Sequence, residues 1–455
     1  MQIIIVGCGK VGRTLTAQLS GENNNVTVVD TDAAVVKSVT NYYDAMGVTG
    51  NGASYQVLAE ADIEHTDILI AVTQSDEVNL LCCVIARKAS NCQTIARVRN
   101  PIYSEERGFL RKELGLSMII NPEFAAALEI SRLLRFPSAI DIDSFSKGRI
   151  DLLRFRVPES SPLVGSALRE LPGRLQMDVL ICAAERKNEV LIPDGNFVIR
   201  SGDLLSMISI PGNASAFFQK TGIRTGQVKN TLIIGGGEIT YYLSKILLRM
   251  GIKVKIIEKK RERCEELSAL LPKATIICGD GSDRELLEEE HLEQMDALVA
   301  GTDMDEENII LSLYAKGKVK AKIITKINHL DFNDVIHDLD LDSLIYPKNI
   351  AAETILQYVR AVGDSVGSNV ETLYKLMDGR VEALEFSIRK DSDLARIRLQ
   401  NMRLKRNLLI AGIVRKGKLI IPGGQDEFLP GDSVIVVTTE RGFREIHDIL
   451  EVKGD

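Results

Sequence analysis

The chain has no surplus of positive charge. A formal net charge of −7 sets it apart from general nucleic-acid binders and leaves room only for a local basic surface. It also lacks any apolar run near the ~18 residues that a membrane span requires. No charged stretch followed by an apolar one opens it, so a soluble protein is expected, whose contact with a membrane runs through a partner. Cysteine is present but unpatterned: Cys8, Cys82, Cys83, Cys92, Cys182, Cys264 and Cys278 are odd in number, show no CxxC spacing and lie mostly within apolar runs. That reads as reduced thiols of the cytosol rather than a disulfide framework or a metal site. No HExxH, GxSxG or Walker A pattern occurs.

What is present is organised around residues 1–32, MQIIIVGCGKVGRTLTAQLSGENNNVTVVDTD. An apolar, β-branched run at 2–6 predicts a strand, Gly7, Gly9 and Gly12 complete a GxGxxG, and a second apolar run at 26–29 ends in Asp30. Each glycine has a separate reason. Gly7 permits a tight turn, Gly9 lets backbone amides approach a pyrophosphate, and Gly12 lets the following helix pack close to the sheet. The helix N-terminus then offers unpaired N–H groups to phosphate, and Asp30 stands where a carboxylate accepts hydrogen bonds from an adenosine ribose. Asp30, Thr31 and Asp32 place acceptors and no cation beside that ribose, which favours NAD(H) or a plain adenine nucleotide over NADP(H).

At 455 residues the chain has room for three or four domains. Strand-like runs at 67–72, 94–98 and 118–120 alternate with helical patterns, the signature of a doubly wound parallel sheet. Thr73 and Gln74 fall beyond the carboxyl end of one such strand, in the crevice where nucleotides lie. Asn51 is a candidate adenine-side contact, with turn formation as the alternative. Beyond the helix former EFAAALEISRLLRF, strand-like pieces separated by Pro, Gly and Asp turns predict a small α+β domain.

The chain then repeats itself. TLIIGGGEITYYLSKILLRMGIKVKIIE reproduces the opening unit, with Gly235 displaced by 228 residues from Gly7 and Glu258 by 228 from Asp30. Asn51 returns as Asp280, Thr73 as Thr302, Asp76, Glu77 and Asn79 as Asp305, Glu306 and Asn308, and Arg97 as Lys326. Pro122 returns as Pro347, Pro193 as Pro422 and Gly202-Asp203 as Gly431-Asp432. A repeat this long is a duplicated two-domain unit, not a solenoid. The expected fold is therefore α/β, two Rossmann-like doubly wound parallel-sheet domains at 1–135 and 228–362, each followed by a small α+β domain, at 145–222 and 375–455.

The copies differ chemically. Thr240 stands where Gly12 does, so the second helix is expected to sit farther from its strand. Glu258 replaces Asp30 and is followed by Lys259, Lys260 and Arg261, which either meet an extra phosphate or form a solvated helix start. Lys326 loses the planar fork with which Arg97 can clamp two phosphate oxygens, and Glu123 becomes Lys348. The first site is expected to hold the tighter ligand.

Catalytic groups are scarce around either site. A dehydrogenase needs a proton donor near the nicotinamide, yet of His65, His291, His329, His337 and His447 only His65 falls in the first nucleotide domain, in a surface loop. Cys8 is either a reactive thiol at a helix N-terminus or simply a small residue in a tight place. Cys82 and Cys83 read as core. A protein that binds nucleotide twice and does no chemistry on it is a sensor, whose output is a shift between conformations. The alternative that stays open is an NAD-dependent oxidoreductase with an unrecognised donor.

GCGKVG, VVDTD, the TQSDEVN loop, ARVRNP and the Gly-Asp strand pair of the small domain, all in tandem, resemble the family of tandem-RCK regulators of Trk potassium uptake. Each half resembles an RCK_N lobe followed by an RCK_C lobe. The resemblance implies a cytosolic regulatory ring, a tetramer, docked on the inner face of the cell membrane through a TrkH-type potassium-translocating subunit. It implies NAD(H) and ATP or ADP competing for the glycine turns, with no catalysis and no nucleic acid. Site residues implied are Gly7, Cys8, Gly9, Lys10, Val11, Gly12, Asp30, Thr31, Asn51, Thr73, Gln74 and Arg97, then Gly235, Gly236, Gly237, Glu238, Ile239, Glu258, Asp280 and Thr302. Helices from Glu123 and from Ile350 match the crossover helices through which RCK lobes pair. An RCK-type regulator of another ion transporter is the nearest alternative.

Overall fold

The computed structural model describes the chain apart from residues 23, 146–149, 178, 211–212, 224–227, 320–321, 329–335, 337–338, 340, 364–369, 378, 444 and 452–455. His329 and His337 lie outside the described residues. The opening strands are β1 (Gln2–Val6), β2 (Asn25–Asp30), β3 (Met46–Thr49), β4 (Ile68–Ala71), β5 (Gln93–Arg97) and β6 (Met118–Ile120), in one parallel sheet of order β3-β2-β1-β4-β5-β6. Ile3 to Val6 and Ile68 to Ala71 are buried without alternation, because helices cover both faces of the sheet. The order reverses between β1 and β4, which opens a crevice at their carboxyl ends.

An antiparallel sheet follows, of β7 (Asp141–Phe145), β8 (Ile150–Arg156), β9 (Leu180–Arg186), β10 (Glu189–Leu191) and β11 (Leu204–Ser209), ordered β10-β9-β11-β8-β7. β7 joins it ahead of the expected start at 145. The pattern then recurs. A second parallel sheet holds β12 (Asn230–Ile234), β13 (Lys253–Glu258), β14 (Thr275–Cys278), β15 (Ala297–Ala300), β16 (Lys322–Lys326) and β17 (Ser343–Ile345), ordered β14-β13-β12-β15-β16-β17. The last sheet holds β18 (Val370–Leu376), β19 (Val381–Ser387), β20 (Leu408–Arg415), β21 (Lys418–Ile420) and β22 (Ser433–Thr438), ordered β18-β19-β22-β20-β21. The Gly-Asp turns serve these small sheets directly. Gly202 and Gly431 take φ of +84° and +91°, and Asp203 and Asp432 pair with Arg186 at 2.7 Å and Arg415 at 2.8 Å.

The halves are not separate bodies. Helix Pro122–Arg135, started by Asn121 accepting from the Phe124 amide and by Pro122, carries Ala126, Ala127, Ile130, Leu133 and Leu134 into one core with Ile233, Tyr241, Leu243 and Leu247 of the second half. Phe124 meets Tyr242 edge-on, with ring centroids 5.6 Å apart. In return, helix Pro347–Gly363 carries Ala351, Ala352, Ile355, Leu356 and Val359 into the core of the first half, beside Val11, Leu15 and Ile120. Each fully buried Ile or Leu contributes roughly 1.5–3 kcal/mol, so the exchange of helices is a main source of cohesion. That is why neither helix confines its apolar residues to one face. The small sheets also share a core, with Phe145, Ile150 and Ile208 against Val381, Ala383 and Val437.

Polar contacts finish the seam differently at its two ends. Gln93, at the start of β5, accepts from Tyr358 of the opposite helix at 3.1 Å. Lys322, its counterpart on β16, is fully buried, donates to the Ala139 carbonyl at 2.5 Å and meets Asp342 at 3.1 Å.

Candidate nucleotide-binding sites

Gly7 turns the chain out of β1 with φ +101°, and its amide donates to the Val29 carbonyl at 2.8 Å. A β-carbon at Gly7 would meet the Thr73 amide at 2.9 Å, so the turn lies against the end of β4. One at Gly12 would stand 1.9 Å from the Gly7 carbonyl oxygen, a clash with backbone that no rotamer relieves. Gly9 has open space beside it, where a ligand could approach the backbone. Asp30 closes the turn: its carboxylate accepts from the Cys8 amide at 2.7 Å and the Asp32 amide at 3.1 Å. Asp32 in turn caps the next helix through the Ala34 amide.

Cys8 is not the reactive thiol that a helix N-terminus suggested. Burial, and then the neighbouring Asp30 charge, push it up to about 12, so it remains a protonated, inert thiol. Val11 is buried, whereas Lys10 and Thr31 are exposed. Thr73 is held by Asn79, whose side-chain oxygen accepts from the Thr73 amide at 2.8 Å and hydroxyl at 2.7 Å, while its NH2 donates to the Thr73 and Arg97 carbonyls at 3.2 and 2.9 Å. Gln74 receives the Arg99 guanidinium on its carbonyl. Asn51 folds its own turn by accepting from the Ala53 amide at 3.0 Å. Arg97 pairs with Glu123 at 3.1 Å.

The second unit builds the same frame with different parts. Gly235 takes φ +98°, and Glu258 accepts from the Gly236 amide at 2.6 Å and the Lys260 amide at 2.7 Å. Glutamate reaches one methylene farther than aspartate, and a β-carbon at Gly236 would lie 2.8 Å from its carboxylate. Cys8 with Asp30 and Gly236 with Glu258 are thus two matched pairs. Thr240 sends its hydroxyl to the Gly235 carbonyl at 2.6 Å, turning the clash that Gly12 avoids into a hydrogen bond. Asn308 repeats every bond of Asn79, to Thr302 and to the Lys326 carbonyl. Lys259 pairs with Asp280 at 2.6 Å, and that bond, with Ser282, holds the Asp280 carboxyl well below the usual carboxylate range. Glu238 pairs with Arg263 at 3.2 Å, Ile239 packs at the core edge, and Lys326 pairs with Asp303 at 3.0 Å.

Across the seam, each glycine turn faces the other half. Partial burial lowers the pKa of Lys10, with Lys348 and Lys326 of the second half adding to that and Asp305 and Asp303 opposing it. Glu238 and Arg263 share a cleft of about 530 Å³ with Gln74, Asp76, Arg99 and Glu123 of the first half. Burial raises the Glu238 carboxyl, with Glu266 and Glu123 adding to that and Arg263 opposing it. Sequence reasoning missed this cross-lining, and missed Asn79 and Asn308 as braces although their common offset marked them.

Known proteins share both the sequence and the fold. Residues 3–122 and 231–347 match the TrkA-N domain family, and residues 152–222 and 383–451 the TrkA-C domain family. The Trk system potassium uptake protein TrkA of Halomonas elongata is 32% identical over 459 residues, covering 99% of this chain and 99% of that protein. The TrkA homolog 1 of Methanosarcina mazei is 30% identical over 454 residues, covering 98% and 99%. Two solved structures resemble the fold at 18% identity and a TM-score of 0.62. They are the GsuK channel bound to NAD, with 96% of this chain and 76% of that one covered, and the GsuK RCK domain, with 96% and 92%. Among the described residues, no helix is long and apolar enough to cross a membrane.

Proposed function

We propose, since the chain belongs to the TrkA family of potassium-uptake proteins, that it is a non-enzymatic regulatory subunit that gates a TrkH-type potassium-translocating membrane protein in response to NAD(H) and ATP or ADP. It works as a cytoplasmic ring of four copies, held to the membrane through that partner. The carrying observation is the pair of glycine turns, each closed by its own acid and braced by the same buried asparagine, at a seam where the two halves exchange helices. A ligand on either turn touches both halves, so its binding energy differs between arrangements of the seam, which is what gating requires. Fit supports the reading: Gly9 and Gly237 leave open space for phosphate beside a helix N-terminus. Asp30 and Glu258 would exchange backbone bonds for ribose hydroxyls, and Thr73, Gln74 and Arg97, with Thr302 in the second half, would line the distal part.

The test uses the full chain. Asp30→Ala should weaken NADH at least about tenfold by calorimetry, while the chain stays folded at a cost of about 1–3 kcal/mol, because the Cys8 and Asp32 amides lose their acceptor. Unchanged affinity would remove the first turn from the reading. Potassium flux into vesicles carrying the membrane subunit should change with nucleotide only when the chain is added.

A further inference from the structure

We infer that Cys264 and Cys278 are a redox-sensitive pair, which closes to a disulfide by exchange with a small disulfide of the oxidised-glutathione kind and thereby clamps the backbone around the second glycine turn. The pair acts whether or not the turn holds the nucleotide proposed above.

The backbone brings the two thiols together. Helix Arg261–Leu270 carries Cys264 one turn ahead of Leu267, on the face that covers the second parallel sheet. Leu267 packs in one core with Ile276 of β14, whereas Ile277 enters the core on the other side of that sheet. Side chains alternate along a strand, so Cys278 shares the face of Ile276 and meets the helix. The Glu258 carbonyl fixes the spacing: it accepts from the Cys264 thiol at 3.2 Å and from the amide of Gly279, the residue after Cys278, at 3.0 Å. Cys278 itself stands beside Glu258 in the parallel ladder. The first half has Val36 and Thr49 at these two places, so the pair belongs to one turn alone.

Exposure divides the roles. Cys278 is exposed and Cys264 is buried. Burial, then the adjoining Cys278 thiol and the Glu258 charge, push Cys264 up to about 11, so it stays protonated until a partner sulfur is at contact. Cys278, as thiolate, attacks one sulfur of the small disulfide, whose S–S bond breaks and whose other sulfur leaves as a thiolate. Cys264 then gives up its proton and attacks the Cys278 sulfur, releasing the second small thiol. Two electrons leave the protein pair, and its two protons end on the two released thiols.

The helix that closure fixes is already tied to the turn. Arg263, next to Cys264, donates to the Gly236 carbonyl at 2.6 Å, and the Glu258 carboxylate holds the Gly236 and Lys260 amides. A disulfide across this loop of about 15 residues removes the open conformations in which those bonds are broken.

The test uses the full chain without nucleotide, equilibrated with oxidised glutathione, quenched in acid, unfolded, alkylated and digested. Peptides carrying Cys264 and Cys278 should be joined and two hydrogens lighter, while Cys8, Cys82, Cys83, Cys92 and Cys182, all buried, should be recovered as alkylated free thiols. Cys264→Ser should stop the reaction at a glutathione adduct on Cys278, and Cys278→Ser should leave Cys264 free. A lasting adduct on Cys278 of the unaltered chain, or no reaction there, would overturn the pair. Hydrogen exchange on the closed and reduced forms tests the clamp: the amides of Gly236 and of residues 258–264 should slow at least about tenfold on closure, with those of Cys8 and residues 30–36 unchanged within about twofold. Equal exchange at the second turn would overturn the clamp. With no nucleotide present, none of these outcomes depends on nucleotide binding.

Discussion

Gly12 and Thr240 occupy the same position in the two halves and solve one problem in opposite ways. In the first half any β-carbon would strike the Gly7 carbonyl at 1.9 Å, so the position is empty. In the second a hydroxyl reaches the Gly235 carbonyl at 2.6 Å, so the position is filled. The frame around them, Asn79 against Asn308 and Asp30 against Glu258, hardly changes. The turn can thus be held by absence or by a bond, provided the acid and the asparagine keep the neighbouring backbone in place.

Four experiments press on that contrast. Gly12→Ala should be the most damaging, costing about 3 kcal/mol of unfolding free energy and abolishing ligand at the first turn, whereas Thr240→Ala should cost about 1 kcal/mol, one buried hydrogen bond. Denaturant titration and calorimetry of both variants would show it, and equal losses would erase the contrast. Next, Asn79→Ala and Asn308→Ala should each cost about 2 kcal/mol and agree closely, since each leaves the same buried backbone groups unpaired. A large gap between them would mean that the frames are not equivalent.

Asp30→Glu should lower stability by about 1 kcal/mol, because the longer acid crowds the Cys8 side chain, and adding Cys8→Gly should restore it. A double-mutant cycle without coupling would dissolve the matched pairs. The smallest effect concerns Glu129, on the first exchanged helix, whose carboxyl burial pushes well above the usual range, with Asp141 and Glu353 adding to the rise and Arg132 opposing it. The folded state holds this proton more tightly than the unfolded one, so stability falls as pH rises from the ordinary carboxylate pKa through the raised one. Glu129→Gln should therefore raise the melting midpoint at pH 8 by about 2 °C and change little near pH 4. A shift independent of pH would refute the assignment.

Local spacing explains why so much could be read in advance. The turn at Gly7, the acid ending β2 and the alternation of strand and helix are all set within about 30 residues, as is their recurrence. The exchanged helices were legible only as apolar residues on too many faces; Ile130 and Ile355 do not announce which half they enter. Asn79 looked like any polar residue opening a helix, and its four bonds appear only once β4 and β5 lie side by side. Lys322 was invisible for the same reason, because the Ala139 carbonyl it meets comes from a distant segment, and Glu238 was legible as a glycine-turn residue but not as a wall of a cleft shared with the first half. Cys8 was misjudged in one of its readings, since a helix N-terminus lowers a thiol's pKa only when solvent or a cation can share the charge, and here burial dominates.

The exchange of helices has one more implication. A homodimer joined around a two-fold axis must present the same residue at both ends of its seam, so a favourable change on one side is repeated on the other. Joining the two partners into one chain removes that constraint while keeping the geometry. Gln93 and Lys322, Glu123 and Lys348, and Lys10 and Glu238 are what a symmetric interface becomes when its two ends are free to mutate separately. Cutting the chain between its halves would not return two independent sensors but two incomplete cores, each exposing the pocket left by the other's helix.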